Sequence, residues 1–138
     1  MSQVLLVEDL DSDLRELQAA LREIGNFELR SFRAASQAVE HLSSTFVEGG
    51  EKPKLIIVDL NLPNSSGYEV LRYYHSHPEC QETPLVVWSV MDDETNQKLT
   101  SWMGAKKLIS KSSGPTTLKK SLASFLTPQS NRKSAQRG

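Results

Sequence analysis

Apolar runs and amphipathic stretches alternate along almost the whole chain. Val4-Leu5-Leu6-Val7, Leu55-Ile56-Ile57-Val58 and Leu85-Val86-Val87-Trp88 are short and continuously apolar. Runs of that length read as strands buried on both faces, as in a parallel sheet. Strands are expected over Gln3–Val7, Phe27–Phe32, Lys54–Val58, Leu85–Ser89 and Lys107–Ser110. Between and after them the apolar period lengthens to that of a helix. The first helix is expected from Asp11-Ser12-Asp13, which are N-capping types, to Ile24, with Leu14, Leu17, Leu21 and Ile24 on one stripe and Gly25-Asn26 as the stop. Four more follow, at about Ser36–Ser44, Ser66–Ser76, Asp92–Trp102 and Pro115–Leu126. Their inward positions are Val39 and Leu42, then Val70, Leu71 and Tyr74, and finally Leu118, Leu122, Phe125 and Leu126. Pro115 suits a first helical turn, and Gly104 closes the fourth helix. Five β/α units in strict alternation imply a parallel sheet with right-handed crossovers and helices on both faces.

Composition narrows the class without changing that picture. At 138 residues the chain is one domain by size, and 38% hydrophobic content supports a core without disulfides. Sixteen basic against seventeen acidic residues leave a net charge of −1, which gives no bulk affinity for nucleic acid or an anionic membrane. No apolar run approaches the roughly 20 residues needed to span a bilayer. Met1-Ser2-Gln3 leads directly into a strand, without the pattern of a signal peptide. A cytoplasmic domain over 1–126 is expected. Residues 127–138 have no hydrophobic period and read as a disordered tail.

The chemistry lies at the strand ends. Glu8-Asp9 follows the first strand and Asp59 follows the third, at the carboxyl edge where α/β sheets build their sites. Three carboxylates that close raise one another's pKa, and a hard divalent cation such as Mg²⁺ resolves the conflict. Ser89 ends the fourth strand and Lys111 follows the fifth. Acids, a hydroxyl and an ammonium at one edge are what an aspartyl phosphate requires. A carboxylate attacks phosphorus, a cation neutralises the phosphoryl oxygens, and Lys and Ser bind the remaining ones.

With Pro63 four and Gly67 eight residues after Asp59, and with Gly104-Ala105 before Lys111, the chain resembles the receiver domain of two-component response regulators over residues 3–126. The resemblance implies a flavodoxin-like doubly wound α/β sheet, strand order 2-1-3-4-5. It implies Asp59 as phosphoacceptor, with Ser89 as the switch hydroxyl and Lys111 as the phosphate partner. Asp9 would be a direct Mg²⁺ ligand together with Asp59 and the Asn61 carbonyl, with Glu8 acting through water. Val7-Glu8-Asp9 and Asp59-Leu60-Asn61-Leu62-Pro63 look like the small receivers paired with bacterial phytochrome kinases, which makes a sensor histidine kinase the expected partner. Output would run through the fourth helix, fifth strand and fifth helix, where Lys106, Lys107, Lys119 and Lys120 surround Leu108, with homodimerisation as its form. Two positions depart from the pattern. Leu108 stands where many receivers carry an aromatic residue, and Ser112 where most carry a cis proline. The Lys111–Ser112 bond is expected to be trans, because a cis bond before serine costs about 3–4 kcal/mol.

Other readings compete. A Mg²⁺-dependent phosphohydrolase would place a general acid two residues after the nucleophile, where Asn61 cannot protonate a leaving group. A flavin carrier would need a hydroxyl-rich loop after the first strand, and Glu8-Asp9-Leu10-Asp11 is acidic instead. A receiver-like protein-binding module without phosphorylation is the remaining alternative, kept alive by Leu108 and Ser112. His75 and His77, two apart, do not align on one helix face as metal ligands. Cys80 sits in a polar stretch with no activating pattern. Trp88 and Trp102 read as packing residues. Asn64-Ser65-Ser66-Gly67 lacks the Gly-Lys-Ser/Thr ending of a phosphate loop.

Overall fold

The computed structural model describes residues 1–127. Five parallel strands, β1 (Ser2–Val7), β2 (Phe27–Phe32), β3 (Leu55–Val58), β4 (Leu85–Ser89) and β5 (Lys107–Ser110), form one sheet in the order β2-β1-β3-β4-β5. The helices are α1 (Asp11–Ile24), α2 (Ala35–Val47), α3 (Gly67–Ser76), α4 (Glu94–Trp102) and α5 (Pro115–Leu126). The expected topology is therefore the observed one. The expectation for the C-terminal tail lies outside the described residues, apart from Thr127, whose N–H donates to the Ala123 carbonyl and closes α5.

Period-two alternation splits the central strands between two cores. Leu5, Val7, Ile56, Val58, Leu85 and Val87 face α2 and α3 and pack on Leu42, Val70, Leu71 and Tyr74. Val4, Leu6, Leu55, Ile57, Val86, Trp88 and Ile109 face α1 and α5 and pack on Leu17, Leu21, Leu118 and Leu122. A strand covered on both sides has no solvent face, so these runs are apolar throughout. The edge strand β2 alternates partly buried and exposed residues over most of its length.

Local boundaries differ from expectation for identifiable reasons. α1 is preceded by Leu10 as its N-cap residue, with no side-chain cap bond; Asp11 and Asp13 occupy its first turn, where their charge meets the helix dipole. α2 runs on to Val47, because Thr45 and Phe46 continue its inward face. α4 begins at Glu94, two residues late, because Asp92 and Asp93 are drawn into side-chain bonds with Ser110 and Asn96. A two-residue hairpin pairs Asn61-Leu62 with Ser65-Ser66, which the sequence does not signal. Trp88 is buried, as expected of a packing residue, but Trp102 is 70% exposed. Thr100 and Met103 take the inward positions at the end of α4 and leave Trp102 turned outward. Cys80 is fully buried, and burial pushes its thiol up to about 11.

A candidate acid site at the carboxyl edge of the sheet

Register brings the acids together. Val7 lies opposite Val58 in the β1/β3 pairing, so the next residues, Glu8 and Asp59, leave the sheet side by side. The ladder continues one step beyond both strands: the Asp59 N–H donates to the Val7 carbonyl at 3.0 Å and the Glu8 N–H to the Phe32 carbonyl at 2.9 Å. Carboxylate oxygens of Glu8, Asp9 and Asp59 all lie within 4.8 Å of one another. Glu8 and Asp59 are buried, while Asp9 stands at the mouth. In the β4/β5 pairing Ser89 lies opposite Ser110, which sets Lys111 just past the same edge.

The Lys111 ammonium reaches across to the acids. It donates to Asp13 Oδ2 at 2.6 Å, Glu8 Oε1 at 2.7 Å and Asp59 Oδ2 at 3.0 Å. Its Nζ also sits 5.0 Å from the centroid of the Trp88 ring, within cation–π range. Burial by itself would lower the pKa of this ammonium. The hydrogen bonds to Asp13, Glu8 and Asp59 outweigh that and hold it above the usual lysine range, so it stays charged. Glu8 moves the other way. Burial raises its carboxyl, the Lys111 bond opposes this, and the neighbouring Asp59 charge adds to the rise. The second Glu8 oxygen accepts the N–H groups of Asp9 and Leu10 at 3.1 and 3.2 Å.

The remaining expected residues are Asn61, exposed at the rim, and Ser89, buried at the end of β4. The Asn61 N–H donates to Asp59 Oδ1 at 3.2 Å, so the backbone after the aspartate folds back over it. Ser89 is fully buried and its Oγ accepts the Met91 N–H at 3.1 Å; its hydroxyl is bonded to the following loop and makes no bond to Asp59. Asp13 is the site residue that sequence reasoning missed. It reads as a helix-capping type at the start of α1, and its local spacing carries no signal of the long-range bond to Lys111. Three carboxylates thus meet one ammonium, with Asp9 as a fourth acid beside them, at a cleft of about 260 Å³ bordered by Leu62, Pro63 and Val90.

Two backbone details hold this geometry. A Cβ on Gly67 would lie 2.1 Å from the Asp59 carbonyl oxygen, so only glycine lets α3 start against the strand end that carries Asp59. Ser112, at the position where the family pattern has proline, uses its N–H: it donates to Ser110 Oγ at 3.2 Å and closes a short 3₁₀ turn over Lys111–Ser113. Every described peptide bond is trans, Lys111–Ser112 included.

The sequence and the fold match known proteins. The family model of the response regulator receiver domain matches residues 4–123. The chain is 34% identical over 93 residues to response regulator Rcp1 of Synechocystis, a match covering 66% of this chain and 63% of that protein. It is 31% identical over 123 residues to chemotaxis protein CheV1 of Helicobacter pylori, covering 89% of this chain and 37% of CheV1. It therefore spans less than two thirds of the length of either relative. The solved structure of Rcp1 in its Mn²⁺-bound form superposes with a TM-score of 0.76 at 28% identity over 91% of both chains. The phosphorylated cyanobacterial phytochrome response regulator RcpA superposes with a TM-score of 0.74 at 28% identity over 90% of both. With the family match spanning nearly all the described residues and the strand order in agreement, this chain belongs to the response regulator receiver domain family.

Proposed function

We propose that this receiver takes a phosphoryl group on Asp59 from a phosphohistidine donor and signals through the surface change that follows. The observation that carries the reading is the Asp59 carboxylate, held at the cleft by Lys111 on one oxygen and by the Asn61 N–H on the other. In the step, an Asp59 oxygen forms a bond to phosphorus while the P–N bond of the donor breaks and its electron pair leaves on the imidazole nitrogen. Lys111 is already within bonding distance of Asp59 and moves with its charge onto the phosphoryl oxygens as they arrive. Ser89 gives up its bond with the Met91 N–H to donate to the same group, which draws in the loop between β4 and α4.

The donor set fits a hard divalent cation. All candidate ligands are oxygens, and the Asp9 carboxylate has no cationic partner among the described residues. Asp9, Asp59 and the carbonyl of Asn61 would hold Mg²⁺ directly, and Glu8, occupied by Lys111 and two backbone N–H groups, would assist through water. When bound, the cation supplies positive charge against which a second anion can approach. The Mn²⁺ form of Rcp1 supports a divalent site.

The likeness to RcpA supports a sensor histidine kinase of the phytochrome kind as donor, in the cytoplasm. Among the described residues no helix is long and apolar enough to cross a membrane. The output face is α4, β5 and α5. There Lys107 donates to Ser121 at 3.0 Å and Lys119 pairs with Glu23 at 2.9 Å, which leaves Lys106, Lys120 and Leu108 to meet a second copy.

Intact-mass spectrometry after treatment with acetyl phosphate tests the phosphorylation. One added phosphate is expected with Mg²⁺, and none in EDTA or in Asp59→Asn. Full incorporation by the wild type in EDTA, or by the variant, would overturn the assignment.

A further inference from the structure

A trough between α3 and α4 lies apart from the acid site. One wall is Tyr68, Arg72 and His75, spaced i, i+4, i+7 on a single face of α3; the other is Leu99 and Trp102 of α4 with Met103 at its end. It is an open groove of about 570 Å³ whose floor is mostly apolar, with Arg72 and His75 along one edge. Trp102 is 70% exposed and Leu99 42%. Tryptophan is highly buried on average, so its exposure beside a second large apolar side chain is informative. The His75 ring lies against Trp102, with centroids 4.8 Å apart, which steadies the indole in the open position.

We propose that this trough docks an amphipathic helix of a partner protein, with acidic residues along the edge that meets Arg72 and His75. Two parallel stripes at helical spacing form a groove for a third helix, which reads as anchors at i, i+3 and i+4. The wall from Tyr68 to Ser76 is about 12 Å long, or two turns of an incoming helix. Tryptophan, tyrosine and arginine are the residue types that dominate binding energy at interfaces, and methionine is enriched there. Charge selects the occupant. No carboxylate lines the trough, and Arg72 forms no ion pair among the described residues.

Two nearer occupants fail on the same ground. In a two-fold pair the trough would meet itself and set Arg72 against cationic or neutral groups only. The chain's own residues 128–138 carry Arg132, Lys133 and Arg137 and no large apolar side chain, so they match neither the charge nor the walls.

The test uses two helix-forming peptides with the same leucine spacing, one flanked by Glu and one by Lys, titrated into the isotope-labelled full chain. The Glu peptide is expected to shift the Trp102 indole resonance and the amides of α3 and α4, and to bind about tenfold more tightly than the Lys peptide. Arg72→Glu should invert that preference. Trp102→Ala should weaken the Glu peptide about tenfold with an unchanged circular dichroism spectrum. Both side chains are exposed, so folding is not at stake. The proposal falls if neither peptide moves the Trp102 resonance, or if Arg72→Glu leaves the preference as it was. It falls equally if sedimentation reveals self-association that Trp102→Ala abolishes, for then the occupant is a second copy.

Discussion

At the scale of single residues, Lys111 and Gly67 set the geometry of the acid site. Lys111 is one ammonium shared by Glu8, Asp13 and Asp59, with its side chain only 10% exposed. Removing one partner from a buried ionic group costs about 3–5 kcal/mol, because the charges left behind remain desolvated. Lys111→Met is expected to lose about that much stability in urea denaturation in EDTA, and Mg²⁺ should restore part of it. A loss under about 1 kcal/mol would mean that the acids relax or take up protons instead. Gly67→Ala is expected to be damaging too, for a different reason. Its new methyl meets backbone atoms of Asp59 and Leu60, which cannot swing aside. Overpacking of this kind costs about 1–3 kcal/mol. Because the displaced atoms belong to Asp59, both the melting temperature and acetyl phosphate incorporation should fall together; a fall in melting temperature alone would show that the helix moved and the strand end did not.

At the scale of elements, α4 is the least anchored by packing, and polar bonds tie its start. Its one buried residue is Thr100. The Tyr68 hydroxyl on α3 bonds Asn96, Asn96 bonds Asp93, and the Ser110 hydroxyl on β5 bonds Asp92. These bonds hold the start of α4 to elements on both sides. Leu108 supplies no aromatic handle on β5, so the polar ties take a larger share of that task. Ser110→Ala removes one tie and also the acceptor for the Ser112 N–H. A loss of about 1 kcal/mol is expected, with faster amide exchange over residues 90–97 and unchanged exchange in β1 and β3. Uniform acceleration across the sheet would mean that global stability, not the α4 hinge, was affected. Ser112 shows why a departure from a family pattern need not be damage: it donates an N–H that proline lacks.

At the scale of the whole molecule, the site is a meeting of β1, β3, β5 and α1 that exists only in the folded state. A ligand that binds only the folded state stabilises it by mass action, by about 2.7 kcal/mol at one hundred times its dissociation constant. Mg²⁺ is therefore expected to raise the melting temperature of the wild type, and Asp9→Asn to remove most of the rise. An equal rise in that variant would place the cation elsewhere. The two cores make this site stiff, since all three central strands are covered on both faces.

How much of this was legible follows from the range of each interaction. Strand and helix alternation is local, so the apolar runs and the 3.6-residue stripes were sufficient for five β/α units, while the strand order was implied by the family resemblance. The carboxyl-edge residues Glu8, Asp9, Asp59, Ser89 and Lys111 were legible too, because a parallel sheet sends every strand end to one side. Asp13 was not, because its role depends on how far Lys111 reaches across β4, and Nζ to Oδ2 at 2.6 Å spans 98 positions of sequence. The start of α4 moved where Asp92 found Ser110 on β5 and Asp93 found Asn96 within the first turn. Trp102 was misread because periodicity states which residues share a face and not which face the neighbours cover. Which groups pair at the edge, and which apolar groups stay open, was decided by the tertiary structure, where distance in space replaces distance along the chain.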